Sequence, residues 1–206
     1  MVINHHGAVL TAAHAVAGCG AIYLVQAGQV SRAAVAARDS EQDLALLHST
    51  LMPLLPAVFA QPPLLNEHMV FAESFDGLQR PAVRTMFNAA LAVSSGKELL
   101  LLSSLGPGAS GAPVLSRDGR VLGMVVARTD AAPGLAGRHA LSRGYRAPAV
   151  ASATRTQAVP ADRILRFLSE AGEPFFVSDT AQLGPGQMPS GRASTISVGV
   201  ICERKT

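Results

Sequence analysis

Short apolar runs of strand length, each ended by a turn signal, recur from residue 8 to residue 159. That pattern constrains the chain to β-structure, because runs this short and this regularly broken cannot build long helices. Ala8–Ala12 is the first run, and Ala21–Gln26 and Val30–Arg38 flank Ala27-Gly28-Gln29, which reads as a hairpin turn. Leu44–Leu47 follows an acidic Asp43. Further runs fall at roughly 68–75, 83–94 and 98–104, the last two joined through Ser95-Gly96-Lys97. Val114-Leu115 and Val121–Ala127 flank Arg117-Asp118-Gly119-Arg120, where Asp-Gly is a strong hairpin signal. A loop rich in Gly and Arg spans about 128–147, and a last run covers about 149–159. Only then does a helix read clearly. Pro160 opens it, Ile164, Leu165, Phe167 and Leu168 share one face over 161–171, Asp162 lies in the first turn and Gly172 ends it. The expectation is an all-β pair of small antiparallel barrels with one C-terminal helix.

Prolines divide this pattern. Pro53, Pro56, Pro62 and Pro63 interrupt the passage from Met52 to Pro63, which reads as a linker. The expected divisions are a first barrel over 1–51, the linker over 52–63, a second barrel with its helix over 64–172, and a tail over 173–206. Within the tail, 178–194 is rich in Gly, Pro, Ser and Gln and reads as a loose connection, whereas 195–202 alternates like a strand.

Composition removes several classes of function. Hydrophobic residues make up 49% of the 206 and charged residues 15%, which suits a globular chain. No apolar run approaches the roughly 20 residues that span a bilayer, and Met1–Gly7 lacks the basic start and apolar segment of a signal peptide. The net charge is only +3, and Arg128, Arg138, Arg143, Arg146 and Arg155 have no interleaved aromatics. They read as a solvated face, so no nucleic-acid partner is expected. Cys19 and Cys202 allow at most one bridge, and their count leaves the redox compartment undecided. His5, His6, His48, His68 and His139 have no ligand-like spacing, so neither a metal nor another cofactor is expected. His5-His6 reads as a surface pair.

The stretch Gly106-Pro107-Gly108-Ala109-Ser110-Gly111-Ala112-Pro113 sets one serine between glycines, just ahead of an apolar strand. A serine hydroxyl is a weak nucleophile until a base takes its proton and donors hold the developing oxyanion. Upstream stand Leu10-Thr11-Ala12-Ala13-His14 and Asp43-Leu44-Ala45-Leu46-Leu47. Together the three stretches resemble the catalytic motifs of trypsin-like serine proteases, in the His, Asp, Ser order of the chymotrypsin fold. The short spacing between His14 and Asp43, and an Ala158-Val159-Pro160-Ala161-Asp162 junction, resemble the bacterial HtrA/Deg branch. The likeness covers residues 7–172 and leaves too short a tail for a PDZ domain.

This resemblance implies two six-stranded-type barrels and a division of labour. Ser110 is the nucleophile, His14 the general base and acid, and Asp43 the group that holds the imidazole. The backbone N–H groups of Gly108 and Ser110 form the oxyanion hole. Ser104 aligns with the base of the primary specificity pocket, and Val126, Ala127 and Arg128 with its wall, which implies small or aliphatic residues before the cut, with an acidic residue reached by Arg128 as the alternative. Ala109 offers no charge where digestive relatives carry an acid, so no activation switch of that kind is expected. The substrate is an unfolded or extended polypeptide, and relatives imply a periplasmic or secreted location.

One departure concerns the first barrel, since relatives carry one more strand and most of another before the position of Gly7. The barrel is then incomplete, with an open edge. Either the barrel stays truncated or another segment fills the gap; strand 195–202 is a candidate, which would bring Cys202 toward Cys19. The alternative expectation is a catalytically weak or inactive peptide-binding module, its triad left unassembled by a loose first barrel. An α/β-hydrolase is disfavoured, since Ala112 stands where its serine motif needs glycine and alternating helices are missing.

Overall fold

The computed structural model describes residues 1–53, 55–61, 69–80, 89–95, 98–103, 105, 108–129 and 154–204. Two curled, mostly antiparallel sheets carry the chain. The first contains β1 (Ala8–Ala12), β2 (Cys19–Gln26), β3 (Gln29–Asp39), β4 (Leu44–Ser49) and, from the far end of the chain, β13 (Gly199–Arg204). Their order is β1-β4-β3-β2-β13. The second contains β5 (Val58–Ala60), β6 (Met69–Phe71), β7 (Ala89–Ser95), β8 (Glu98–Ser103), β9 (Pro113–Leu115), β10 (Val121–Thr129), β11 (Thr154–Pro160) and β12 (Phe176–Ser178). Its order is β11-β8-β7-β6-β9-β10-β5-β12, and an additional β10–β11 pairing closes β11, β8, β7, β6, β9 and β10 into a ring. The all-β expectation holds, and the six-stranded ring within the second sheet matches the barrel that the resemblance implies, with β5 and β12 added beyond β10.

Patterning explains why β1 and β4 are buried. Apart from Thr11, Ala8–Ala12 and Leu44–Leu47 are apolar throughout, as strands buried on both faces tend to be, and every residue of both runs is buried. Ala8, Leu10, Leu44 and Leu46 point to one core, shared with Phe59, Phe71, Leu115, Met124, Ile164 and Leu168 of the second half. Val9, Ala45 and Leu47 point to the other, inside the first sheet, with Ile22 and Leu24. A third core, with Val70, Leu101, Val114 and Val125, fills the closed ring. The largest core therefore belongs to neither sheet alone.

The edge of the first sheet is covered from the tail. β13 pairs antiparallel with β2 from Gly199↔Val25 to Arg204↔Cys19, and Cys19 is disulfide-bonded to Cys202. On the other side, Val2 bridges Val9 and donates its N–H to Ile196 O at 2.8 Å. Residues 1–3 thus lie between β1 and the tail, fully buried.

Several local readings differ from the structure. The tail strand starts at Gly199, because Pro189–Ile196 is a helix in the stretch read as a loose connection and in the first residues of the expected strand. Burial of Ser190, Arg192, Ala193 and Ile196 holds this helix, overriding its poor propensity. The proline-rich passage contributes β5, which pairs in parallel with β10 and β12. The run 68–75 keeps a strand only over Met69–Phe71. Beyond it, Ser74 Oγ accepts from the Gly77 N–H at 3.1 Å and caps a single helical turn, Phe75–Leu78. The late helix runs over Ala161–Glu170. Residues 81–88, most of the 128–147 loop, and 149–153 lie outside the described residues.

The Cys19–Cys202 bridge spans 183 residues of sequence, so it restricts the unfolded chain strongly. Cys202→Ser is expected to lower unfolding free energy by about 2–5 kcal/mol, read by urea denaturation under oxidising conditions. Adding reductant should bring the parent chain to the same midpoint. A variant midpoint equal to that of the oxidised parent would contradict the bridge's contribution.

Candidate active site

His14 lies on a single 3-10 turn, Ala13–Val16, directly after β1. Its position is set by Asp43, the residue before β4, which is paired with β1. Ala13 N–H donates to Asp43 O at 3.0 Å, and His14 N–H donates to Asp43 Oδ1 at 2.8 Å. The other carboxylate oxygen, Oδ2, lies 2.6 Å from His14 Nδ1. One aspartate thereby fixes both the backbone and the ring of the histidine. Asp43 does so with φ at +55°, a left-handed conformation that costs a non-glycine residue about 1 kcal/mol or more. Such strain persists only where surrounding bonds over-determine it, as the three bonds to Ala13 and His14 do here.

Ser110 comes from the second sheet, on the turn ahead of β9. Gly111 N–H donates to Val125 O at 2.8 Å, Ala112 N–H to Ala109 O at 2.9 Å, and Val125 N–H to Ala112 O at 2.9 Å. These bonds staple the turn to β10. Gly108 and Gly111 both have φ at +85°, outside the region open to most side chains. Gly111 is doubly required, because a Cβ there would sit 2.8 Å from Thr11 Oγ1 of β1. This close approach brings the serine turn against the histidine strand, and Ser110 Oγ lies 3.1 Å from His14 Nε2.

Of the residues singled out in the sequence, His14, Asp43 and Ser110 are brought into one hydrogen-bonded line. Gly108 and Ser110 line the same cavity, about 300 Å³, with His14 and Thr11. No described residue accepts a hydrogen bond from the N–H of Gly108 or Ser110. Val126 is buried in the core shared by the two halves. It falls at an irregularity in the β10–β11 register, between Val125 and Ala127. Ala127 and Arg128 continue β10, their side chains outside the description, and Ser104 lies outside the described residues. His5 and His6 are exposed, and His48 Nε2 pairs with Glu173 Oε2 at 2.7 Å, remote from Ser110 in the first sheet.

A trypsin-like peptidase domain is matched over residues 1–124. The chain belongs to the trypsin-like peptidase family. Its fold also resembles the crystal structure of Rv3671c from M. tuberculosis H37Rv, an inactive form in which a serine is replaced by alanine. The TM-score is 0.54 at 20% identity, covering 82% of this chain and 79% of the other. No curated protein matches.

The sequence did not reveal what else borders the cavity at Ser110. Phe75, Ser197, Val198 and Val200 line it too. Their only sequence signal is the alternation of the tail strand, since nothing local places residue 198 beside residue 110. Gly199 packs so tightly on Phe75 that a Cβ would lie 2.7 Å from its ring.

Gly111→Ala meets both the positive φ and the Thr11 contact, and is expected to destabilise by about 1–3 kcal/mol, read by thermal unfolding. Adding Thr11→Ala should recover only part of that loss, because the backbone strain stays. Full recovery would place the whole effect in the side-chain contact.

Proposed function

We propose that this chain is a serine endopeptidase that cleaves unfolded or extended polypeptides through an acyl-enzyme intermediate. The observation that carries the reading is the continuous line Asp43 Oδ2, His14 Nδ1, His14 Nε2, Ser110 Oγ, with steps of 2.6 Å and 3.1 Å. With Nδ1 donating to Asp43, Nε2 is left as the acceptor that faces the serine hydroxyl.

Ser110 Oγ attacks the scissile carbonyl carbon while its proton passes to His14 Nε2. The imidazolium that forms is stabilised by the Asp43 carboxylate, which stays ionised. The carbonyl oxygen becomes an oxyanion held by the N–H groups of Gly108 and Ser110. Collapse expels the amine, which takes the proton from Nε2 and leaves an ester on Ser110. Water, deprotonated by the same nitrogen, then attacks the ester carbonyl. The carboxylic product departs and the proton returns to Ser110.

The supporting features are of different kinds. Family membership supports peptide-bond hydrolysis, and the motif spacing supports the HtrA/Deg branch. Ala109, 5% exposed, supplies no acid for an activation switch of the digestive type. A structural disulfide fits an oxidising compartment, in line with export. Ser104, Val126, Ala127 and Arg128 form the primary pocket in this reading, favouring a small or aliphatic residue before the cut.

The test is turnover of a quenched-fluorescent, unfolded polypeptide. Ser110→Ala should lose activity to the background level. Asp43→Asn should lower kcat by about 10⁴-fold while leaving the chain folded. Undiminished turnover in Ser110→Ala would overturn the mechanism, and a folded parent without turnover would favour the peptide-binding alternative.

A further inference from the structure

A second cavity, about 690 Å³, shares no lining residue with the one at Ser110. The tail builds it against the proline-rich passage, through Phe176, Leu183, Met188 and Arg192 on one side and Leu55 and Pro56 on the other. Its walls concentrate apolar surface that a folded chain normally hides. Leu55, Phe176 and Met188 are 55%, 43% and 38% exposed, and all three line this one space.

Arg192 is the opposite case, a charged side chain only 7% exposed. Its Nη2 donates to Pro56 O, its Nε is buried without a partner, and none of the described ion pairs includes it. A buried guanidinium without a carboxylate is costly, and burial lowers its pKa from the usual value. Among the described residues no Asp or Glu lines the cavity, and His5 stands at it with its ring edge-on to Phe176. The chemistry missing here is a carboxylate attached to an apolar chain.

The sheet edge indicates which carboxylate. Among the described residues, β12 is the last strand of its sheet and pairs on one side, with β5. Its other edge offers backbone N–H and C=O groups to an added extended strand, beginning at Phe176 in the cavity wall. A polypeptide end has both the backbone for that edge and a terminal carboxylate for Arg192. We propose that this cavity binds the apolar C-terminal end of a polypeptide, its carboxylate on Arg192 and its backbone along β12. The helix that carries Arg192 leads into Ser197 and Val198 at the catalytic cavity, so the occupant sits on the element that walls the cleft.

The experiment uses the full chain carrying Ser110→Ala, which removes any dependence on turnover. A short fluorescent peptide ending in Leu-Leu-Leu is titrated by anisotropy, with a free or an amidated C-terminus. The free acid should bind, and amidation should weaken it about tenfold. Phe176→Asp, at a wall position 43% exposed and checked for an unchanged far-UV spectrum, should weaken the acid at least as much. Arg192→Gln, checked for an unchanged far-UV spectrum, should bind acid and amide alike. Equal binding of acid and amide to the Ser110→Ala chain would overturn the proposal, as would no binding at all. Binding unaffected by Phe176→Asp would place the peptide in the catalytic cleft and overturn it too. So would saturable binding of decanoate with none of the peptide, since the ligand would then be a lipid-type acid.

Discussion

The contact between His14 and Ser110 depends on one core that two sheets share. His14 and Asp43 belong to the first sheet and Ser110 to the second, so the 3.1 Å contact between histidine and serine is a contact between halves. Short-range bonds set each partner on its own sheet, but they cannot set the distance across. That distance is held by Ala8, Leu10, Leu44 and Leu46 packing on Phe59, Phe71, Leu115 and Met124, and by Gly111 lying against Thr11. Interiors packed at crystal-like density move little, which is what a proton transfer over one hydrogen bond requires.

The tail takes a second part in this arrangement. An antiparallel sheet with an open edge is a sticky surface. β13 covers the β2 edge, the Cys19–Cys202 bridge ties it down, and Ile196 O accepts from Val2 N–H on the way. Cys19 begins β2, three residues after the His14 turn ends, so the tie is made close in sequence to His14. The same segment puts Val198 and Val200 into the wall of the cavity at Ser110. The far end of the sequence thus extends the first sheet and lines that cavity.

How much of this was legible in the sequence follows from the range of each interaction. The Asp118-Gly119 turn, the hairpin at Ala27-Gly28 and the helix after Pro160 are local, and their sequence signals match the elements found. The residues His14, Asp43 and Ser110 were legible for another reason, because each sits in a short motif that carries its own backbone geometry. What escaped was tertiary in origin. The Pro189–Ile196 helix contains proline, glycine, serine and threonine, and exists because Ala193 and Ile196 are wholly buried. β5 lies between prolines and is held by β10 and β12, which no local pattern announces. Phe75 read as the end of a strand, until Ser74 capped a turn there and set its ring against Gly199. Arg192 carried no signal at all, since burial alone makes it unusual.

The central claim is that the shared core assembles an activated serine, and it is tested most directly by intact mass after treatment with a fluorophosphonate probe. The account predicts a single adduct on the parent chain, lost in Ser110→Ala and in His14→Ala. A folded parent that takes no adduct, or an adduct that survives in either variant, would contradict it.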